Sequence, residues 1–316
     1  MWRRARWPRR AQAFAMSNTP ANAMPHAPAN ATSRAPANAM PRSRRVSTTA
    51  GYKGFGSFHS ENVEVLVDRA CAPDWSAPPA PPAIAAAAAA RSKPAPAFGR
   101  AMRPEFLLDD AWTFVNHGAF GAPCRAGFEA AAAWRARAEA QPLRFLDREL
   151  FPHLVASLRA TADLISASPR DVVLAPNATA ALNAAIPAAA AATDLGPGDA
   201  ILLLDVGYGS VAKLAASVAE TRGADVVVAS VSFPLEDGAA EAAVREALES
   251  NRVKVAVFDH VTSNTALRLN VRSLAALCRD RGAAVVVDGA HSLGAFDDLD
   301  VPALGADYFC GNLHKW

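Results

Sequence analysis

The first 60 residues contain no aspartate or glutamate, although they hold ten of the 32 Lys and Arg residues. All 30 acidic residues lie from Glu61 onward, so residues 61–316 carry a net charge of −8. Proteins that bind nucleic acid concentrate positive charge where they contact phosphate. An acidic body therefore argues against nucleic acid as the main partner.

Cysteine is also scarce, and the four cysteines (Cys71, Cys124, Cys278 and Cys310) form no Cys-x-x-Cys pair. This spacing predicts reduced thiols rather than a disulfide framework or a zinc knuckle. No run reaches the roughly 18 apolar residues that a membrane span requires, so no membrane partner is expected. No Gly-x-Gly-x-x-Gly follows the first apolar run, which argues against a nicotinamide-dependent enzyme.

The first 102 residues have a biased composition. Met1 to Arg10 contains five arginines, a Pro-Ala-Asn-Ala unit recurs at Pro20, Pro28 and Pro36, and residues 77–97 are almost entirely Ala and Pro. Such proline-rich sequence offers little to bury, so we expect residues 1–102 to be a disordered extension. An arginine-rich, acid-free start is also typical of a transit peptide for a mitochondrion or a plastid. The alternative is a cytoplasmic protein with a biased tail.

From about Arg103, apolar runs alternate with helix-forming stretches. The predicted strands are rich in β-branched residues, as in strands covered on both faces, and comprise 172–175, 200–204, 225–229, 253–258 and 283–287. The predicted helices are rich in Ala, Leu, Arg and Glu and comprise 125–140, 149–166, 178–192, 210–222, 238–250 and 271–281. The alternation predicts an α/β domain over residues 103–316 with a mostly parallel sheet flanked by helices.

Polar and ionisable residues follow the predicted strands. Ligands of open α/β sheets bind beyond the carboxyl ends of the strands, so these residues mark the expected site. A lysine can form a Schiff base, and an aspartate can hold a protonated pyridine nitrogen. Both are requirements of pyridoxal 5′-phosphate (PLP), whose phosphate also needs a helix N-terminus and a hydroxyl. Residues 177–179 supply these groups, and Tyr208 is the candidate ring cover.

Five motifs, in a fixed order, make the chain resemble class V aminotransferases. They are FVNHGAFG (114–121), PNAT (176–179), FDHVTS (258–263), VDGAH (287–291) and GADY…GNLHKW (305–316). The sequence looks most like the isopenicillin N epimerase-like branch, which also resembles cysteine desulfurases and related carbon–sulfur lyases. The resemblance covers about residues 103–316 and implies the large domain of a PLP-dependent transferase.

The resemblance also implies catalytic roles. Lys315 would carry the Schiff base and act as general acid and base. Asp288 would pair with the pyridinium nitrogen, and His291 would approach the phenolic oxygen of PLP, with Ser263 nearby.

Further residues would bind cofactor and substrate by the same resemblance. Ala178, through its backbone, and Thr179 would bind the phosphate, joined by Asn312 or His314. Tyr208 would stack on the ring, and Asn116 and His117 would border the substrate pocket.

The implied function is a PLP-dependent transformation of a small amino acid through an external aldimine: epimerisation, carbon–sulfur lyase chemistry or transamination. A full-length form would be a homodimer. The sequence ends one residue after Lys315, where the family continues, so we expect the C-terminal small domain to be missing. A truncated, non-catalytic remnant of such an enzyme is the alternative.

A different enzyme class is a lower alternative. Asp259, His260, Asp288 and His291 follow two predicted strands and are residue types that bind metals, as in a metal-dependent hydrolase. That hypothesis leaves Thr179 and Lys315 without a role.

Overall fold

The structure is a computed structural model that describes residues 68–69, 71–72, 74–89 and 96–315. The arginine-rich start, the Pro-Ala-Asn-Ala repeat and the predicted transit peptide lie outside the described residues. Within the described part of the chain, no helix combines the length and the apolar character needed to cross a bilayer.

One parallel sheet organises the fold. In the described residues it has the strand order β2-β1-β3-β4-β5. The strands are β1 (Ala200–Leu204), β2 (Asp225–Ala229), β3 (Val253–Asp259), β4 (Ala284–Gly289) and β5 (Tyr308–Gly311). Every neighbouring pair is parallel. The predicted parallel α/β class is confirmed.

Helices precede and connect the strands. They are α1 (Pro82–Ala89), α2 (Arg125–Ala140), α3 (Leu150–Leu164), α4 (Ala178–Ala192), α5 (Gly209–Arg222), α6 (Ala239–Ser250), α7 (Val271–Arg279) and α8 (Val301–Leu304). Short 3-10 segments span Arg100–Glu105 and Pro169–Asp171, and a helical turn (Pro142–Arg144) and a π-helical turn (Phe145–Glu149) join α2 to α3. The six predicted helices are confirmed to within two residues at each end.

Successive side chains of a strand point to opposite faces of the sheet. Because the strands are apolar along most of their length, both faces are apolar and helices cover both. On one face, Val257 and Val286 pack in a buried cluster with residues of α4 and α5. On the other face, Phe258 and Val287 pack in a second cluster with residues of α6 and α7. The alternation of side chains between the two faces also sets the face to which the last residues of each strand point.

The predicted strand at 172–175 is wrong. In the described residues this segment belongs to no strand, and Val173 is 85% exposed. An apolar run can predict an extended backbone, but a strand also needs a neighbour for its hydrogen bonds. The fifth strand is instead β5, whose short sequence Tyr-Phe-Cys-Gly gave little signal.

The expected disordered extension also differs from the structure. Residues 82–89 form α1, which packs against α2 and buries Ile84 and Ala87. Pro82 is tolerated because it occupies the first position of the helix, where no intrahelical N–H bond is lost. The alanines that follow are strong helix formers.

Candidate active site

Two carboxyl groups meet at the carboxyl edge of the sheet. Asp259 ends β3, Asp288 lies near the end of β4, and their Cα atoms are register partners. Each follows a residue of the α6/α7 face by one position, so both side chains point to the α4/α5 face. Both residues are buried.

Their surroundings favour protonation. Burial, and secondly the neighbouring Asp288 carboxylate, raise the pKa of Asp259 to about 7, although the Tyr208 N–H and Lys315 oppose the shift. Burial also raises the pKa of Asp288, against the opposing effects of the Ala290 N–H and of Lys315. Adjacent buried carboxyls disfavour two negative charges, so the pair retains a proton near neutral pH.

The N-terminus of α4 faces the same edge. Asn177 caps the helix, and its Oδ1 accepts a hydrogen bond from the Ala180 N–H at 2.8 Å. The Ala178 N–H donates to Oδ1 of the buried Asn312 at 2.7 Å, which ties the helix to the segment after β5. Among the described residues, the Thr179 N–H has no acceptor. A helix N-terminus with a free N–H and a hydroxyl favours an anion.

Lys315 approaches this edge from the segment after β5. Its Nζ lies 3.2 Å from Nε2 of His291, which follows β4. Burial, and secondly the positive charge of Lys315, lower the pKa of His291, so the imidazole is neutral near pH 7. A lysine ammonium can only donate, so Nε2 of His291 is the acceptor.

These groups line one cavity of about 230 Å³. Nine of the predicted site residues contribute to its wall: Ala178, Thr179, Tyr208, Ser263, Asp288, His291, Asn312, His314 and Lys315. The carboxyl edge, the helix N-terminus and the lysine amine therefore face a common space.

The predicted substrate residues lie elsewhere. Neither Asn116 nor His117 lines the cavity, and the His117 ring instead packs edge-on against Phe114 and Phe106. The same motif reaches the cavity through Ala119 and Phe120.

The tetrad of the metal hypothesis does not converge. His260 is one position out of phase with Asp259, and its buried ring packs against Phe296, with Nδ1 3.0 Å from Oγ of Ser292. The described part of the chain holds no group of three or more His, Cys, Asp or Glu residues arranged for a metal ion. The geometry therefore gives the metal-dependent hydrolase no support.

Two residues of the cavity wall, Asp259 and Phe120, were not expected in the cofactor site. The sequence indicates Asp259 only as a candidate metal ligand, although it ends its strand as Asp288 does and lies beside Asp288 because β3 and β4 are neighbours. Asn177, in the PNAT motif, has the residue type that caps a helix when it lies directly before a helical run, and it is the N-cap of α4. The contribution of Phe120 had no local signal, because it depends on how the segment before α2 lies over the sheet.

Comparisons with known proteins agree with this geometry. A sequence model described as aminotransferase class-V matches residues 152–316. Isopenicillin N epimerase of Amycolatopsis lactamdurans is 36% identical over 219 residues, which cover 68% of this chain and 53% of the epimerase. L-cysteine desulfhydrase of Arabidopsis thaliana is 34% identical over 215 residues, which cover 64% of this chain and 47% of that enzyme. The chain thus spans about half the length of these relatives.

A solved structure shares the fold. It is a mutant of C-DES with glycine covalently linked to its PLP cofactor, matched with a TM-score of 0.60 and 24% identity. The match covers 68% of this chain and 56% of C-DES. Since the family match spans more than half of the sequence and includes every strand of the described sheet, the chain belongs to the class-V aminotransferase family of PLP-dependent enzymes.

Proposed function

We propose that this chain binds PLP through Lys315 and acts on a small amino acid, with L-cysteine as the substrate and carbon–sulfur cleavage as the reaction. One observation carries the proposal: a lysine amine, a buried aspartate and the helix start at Thr179, with its N–H and hydroxyl, line one cavity. The name of the Arabidopsis relative supports the choice of substrate.

The donor set fits the chemical groups of PLP. The Thr179 N–H and hydroxyl at the start of α4 match the phosphate, and the buried Asp288 matches a protonated ring nitrogen. The amine of Lys315 matches the aldehyde. Tyr208 and Phe120, both on the cavity wall, offer aromatic surface for the ring.

When bound, PLP supplies an electron sink for the carbanion formed at the α-carbon of an amino acid. The residues of this chain would bind it, orient it and move protons. Asp288 would hold the positive charge of the ring nitrogen. Lys315 would attach the cofactor and, once released as a free amine, take the α-proton. Nε2 of His291 would accept a proton from Lys315, because the two atoms are already within hydrogen-bond distance.

Homodimer formation and an organelle location are further parts of the proposal. The first is implied by the family resemblance, and the second by the arginine-rich, acid-free composition of residues 1–60. Fluorescence microscopy of a fusion carrying residues 1–60 tests the location, since a diffuse cytoplasmic signal would refute it.

The test of the reaction uses the 316-residue chain, PLP and L-cysteine in D₂O. Carbon–sulfur cleavage with hydrolysis converts L-cysteine and water into hydrogen sulfide, ammonia and pyruvate. We expect sulfide and pyruvate in equal amounts from wild type, and at least a hundredfold less from Asp288→Asn, because the ring nitrogen loses its charged partner. Absence of both products with racemised, deuterated cysteine would instead indicate epimerisation, the reaction named for the Amycolatopsis relative.

Absence of both sulfide and α-deuteration would refute catalysis by this chain. It would favour the alternative of a non-catalytic remnant. Titration of PLP into the same preparation then shows whether the cavity still takes the cofactor.

A further inference from the structure

The proposed reaction assigns no role to Asp259, although its buried carboxyl group lines the cavity. It is 5% exposed and lies at the end of β3 beside Asp288, on the same face of the sheet. Ionising a buried carboxyl is unfavourable unless other groups compensate. A second carboxyl beside one that already serves the ring nitrogen therefore requires an explanation.

The contacts of Asp259 point to the Tyr208 segment. Its Oδ1 accepts a hydrogen bond from the Tyr208 N–H at 3.4 Å. A Cβ built on the preceding Gly207 would lie 3.5 Å from the same oxygen, so the backbone of this segment passes close to the carboxyl. Among the described residues, Asp259 makes no other hydrogen bond. Its fixed position at a strand end thus sets where Tyr208 enters the cavity wall.

The charged groups facing Asp259 come from two neighbouring elements. Asp288 on β4 disfavours its ionisation, and Lys315, from the segment after β5, favours it. The Tyr208 N–H, from the segment before α5, also favours the charged form. The cofactor phosphate and phenolic oxygen would add negative charge to the cavity, and the ring nitrogen held by Asp288 would add one positive charge. The added charge is negative on balance, which makes an ionised Asp259 less favourable.

We propose that Asp259 is a positioning residue that anchors Tyr208 beside the cofactor and keeps one proton next to Asp288, so that loss of this proton weakens cofactor binding. The inference rests on the proposed PLP site. It assigns Asp259 to the site through Tyr208 and Asp288 and gives it no direct part in breaking a substrate bond.

Two substitutions distinguish the anchoring of Tyr208 from the retention of a proton beside Asp288. Asp259→Asn keeps the shape and an oxygen that accepts from Tyr208, and it stays uncharged at every pH. Asp259→Ala removes the acceptor as well. The dissociation constant (Kd) of PLP is measured from its absorbance change on titration into the full chain, from pH 5.5 to 8.5.

We expect wild type and Asp259→Asn to bind equally below pH 6, where both side chains are neutral. By pH 8.5 the wild-type Kd should exceed that of Asp259→Asn by about tenfold, because a shift of one unit in the pKa of Asp259 on binding is a tenfold linkage. Asp259→Ala should bind about fivefold more weakly than Asp259→Asn at pH 6, which corresponds to one lost hydrogen bond. A Kd ratio of wild type to Asp259→Asn that stays constant with pH would overturn the proposal.

Melting of the cofactor-free protein tests the proton without PLP. The unfolded carboxyl ionises near its ordinary pKa, whereas the folded one stays protonated to higher pH, so wild type loses stability relative to Asp259→Asn as the pH rises from 4 to 7. The exposed Asp237→Asn is the control and should show no such trend.

If PLP binds neither wild type nor either variant, the proposed function fails. The melting series then decides the role of Asp259 alone. A rising difference in melting temperature supports the retained proton, and a flat one refutes it.

Discussion

Nζ of Lys315 lies 3.2 Å from Nε2 of His291, although the two residues follow different strands, β5 and β4. The adjacency of these strands brings the pair together, and burial keeps the imidazole neutral. The lysine must lose a proton before its amine can attack an aldehyde, and a neutral imidazole at this distance can accept it.

Replacing His291 should therefore slow the attachment of PLP to Lys315. We expect His291→Phe and His291→Gln both to reduce the rate by about a hundredfold, the lower range for a general base. His291→Gln keeps an oxygen that accepts from Lys315, so it separates orientation from proton transfer. Stopped-flow absorbance after mixing with PLP gives the rate. A normal rate in His291→Gln would show that His291 only orients the lysine.

Asn312 should contribute to both folding and anion binding. Asn312→Ala leaves the Ala178 N–H without its acceptor, which should cost about 1–3 kcal/mol in the free energy of unfolding. Asn312→Asp keeps the acceptor but adds a negative charge beside the helix N-terminus. It should retain stability and weaken binding of PLP. Urea unfolding of the cofactor-free protein and PLP titration measure the two effects, and equal stability of all three proteins would contradict the assignment.

Gly121 should be needed for the position of Lys315. Its φ is +75°, and a Cβ built on it would overlap the carbonyl oxygen of His314. Gly121→Ala should therefore displace the lysine segment and abolish the covalent PLP adduct.

Gly118→Ala is the matched control in the same motif. A Cβ on Gly118 would lie 3.6 Å from Nδ1 of His291, an ordinary contact. Borohydride-stable incorporation of PLP compares the two variants. Equal incorporation would contradict the close packing of residue 121 against the lysine segment.

The stability of the chain should fall in acid partly because of His260. Burial, and secondly the positive charge of Arg268, lower the pKa of His260 to about 4. The unfolded imidazole takes up its proton near pH 6.5 and the folded one does not. The neutral His260 therefore contributes roughly 3 kcal/mol to the free energy of unfolding above pH 6.5. This contribution is lost as the pH falls to 4. Urea unfolding from pH 7 to 4 should show a shallower decline for His260→Gln, and an unchanged slope would contradict this origin.

The sheet was predictable because its central strands are nearly continuous apolar runs between helical stretches. The run at 172–175 was wrongly predicted as a strand because its residues are apolar, although no strand pairs with it in the described residues. The sequence did not predict β5 because this strand is short. The sequence predicted disorder in place of α1 because prolines flank its alanines, whereas Pro82 is the first residue of the helix.

The site was predictable only in part. Motif order identified the nine predicted residues that line the cavity, and each of them follows a strand or begins a helix. Asp259 could not be assigned to the site from sequence alone, since its role depends on which strand lies beside β3. Asn116 and His117 were drawn from a motif whose backbone turns the neighbouring Ala119 and Phe120 into the cavity instead.

The most direct test is the site of PLP attachment. The full chain is mixed with PLP, reduced with borohydride, digested and mapped by mass spectrometry, with Lys315→Ala as the control. The described geometry predicts one pyridoxyl adduct, on Lys315, that is absent from Lys315→Ala. An adduct confined to other lysines such as Lys213 or Lys254, or equal labelling of wild type and Lys315→Ala, would contradict the central assignment.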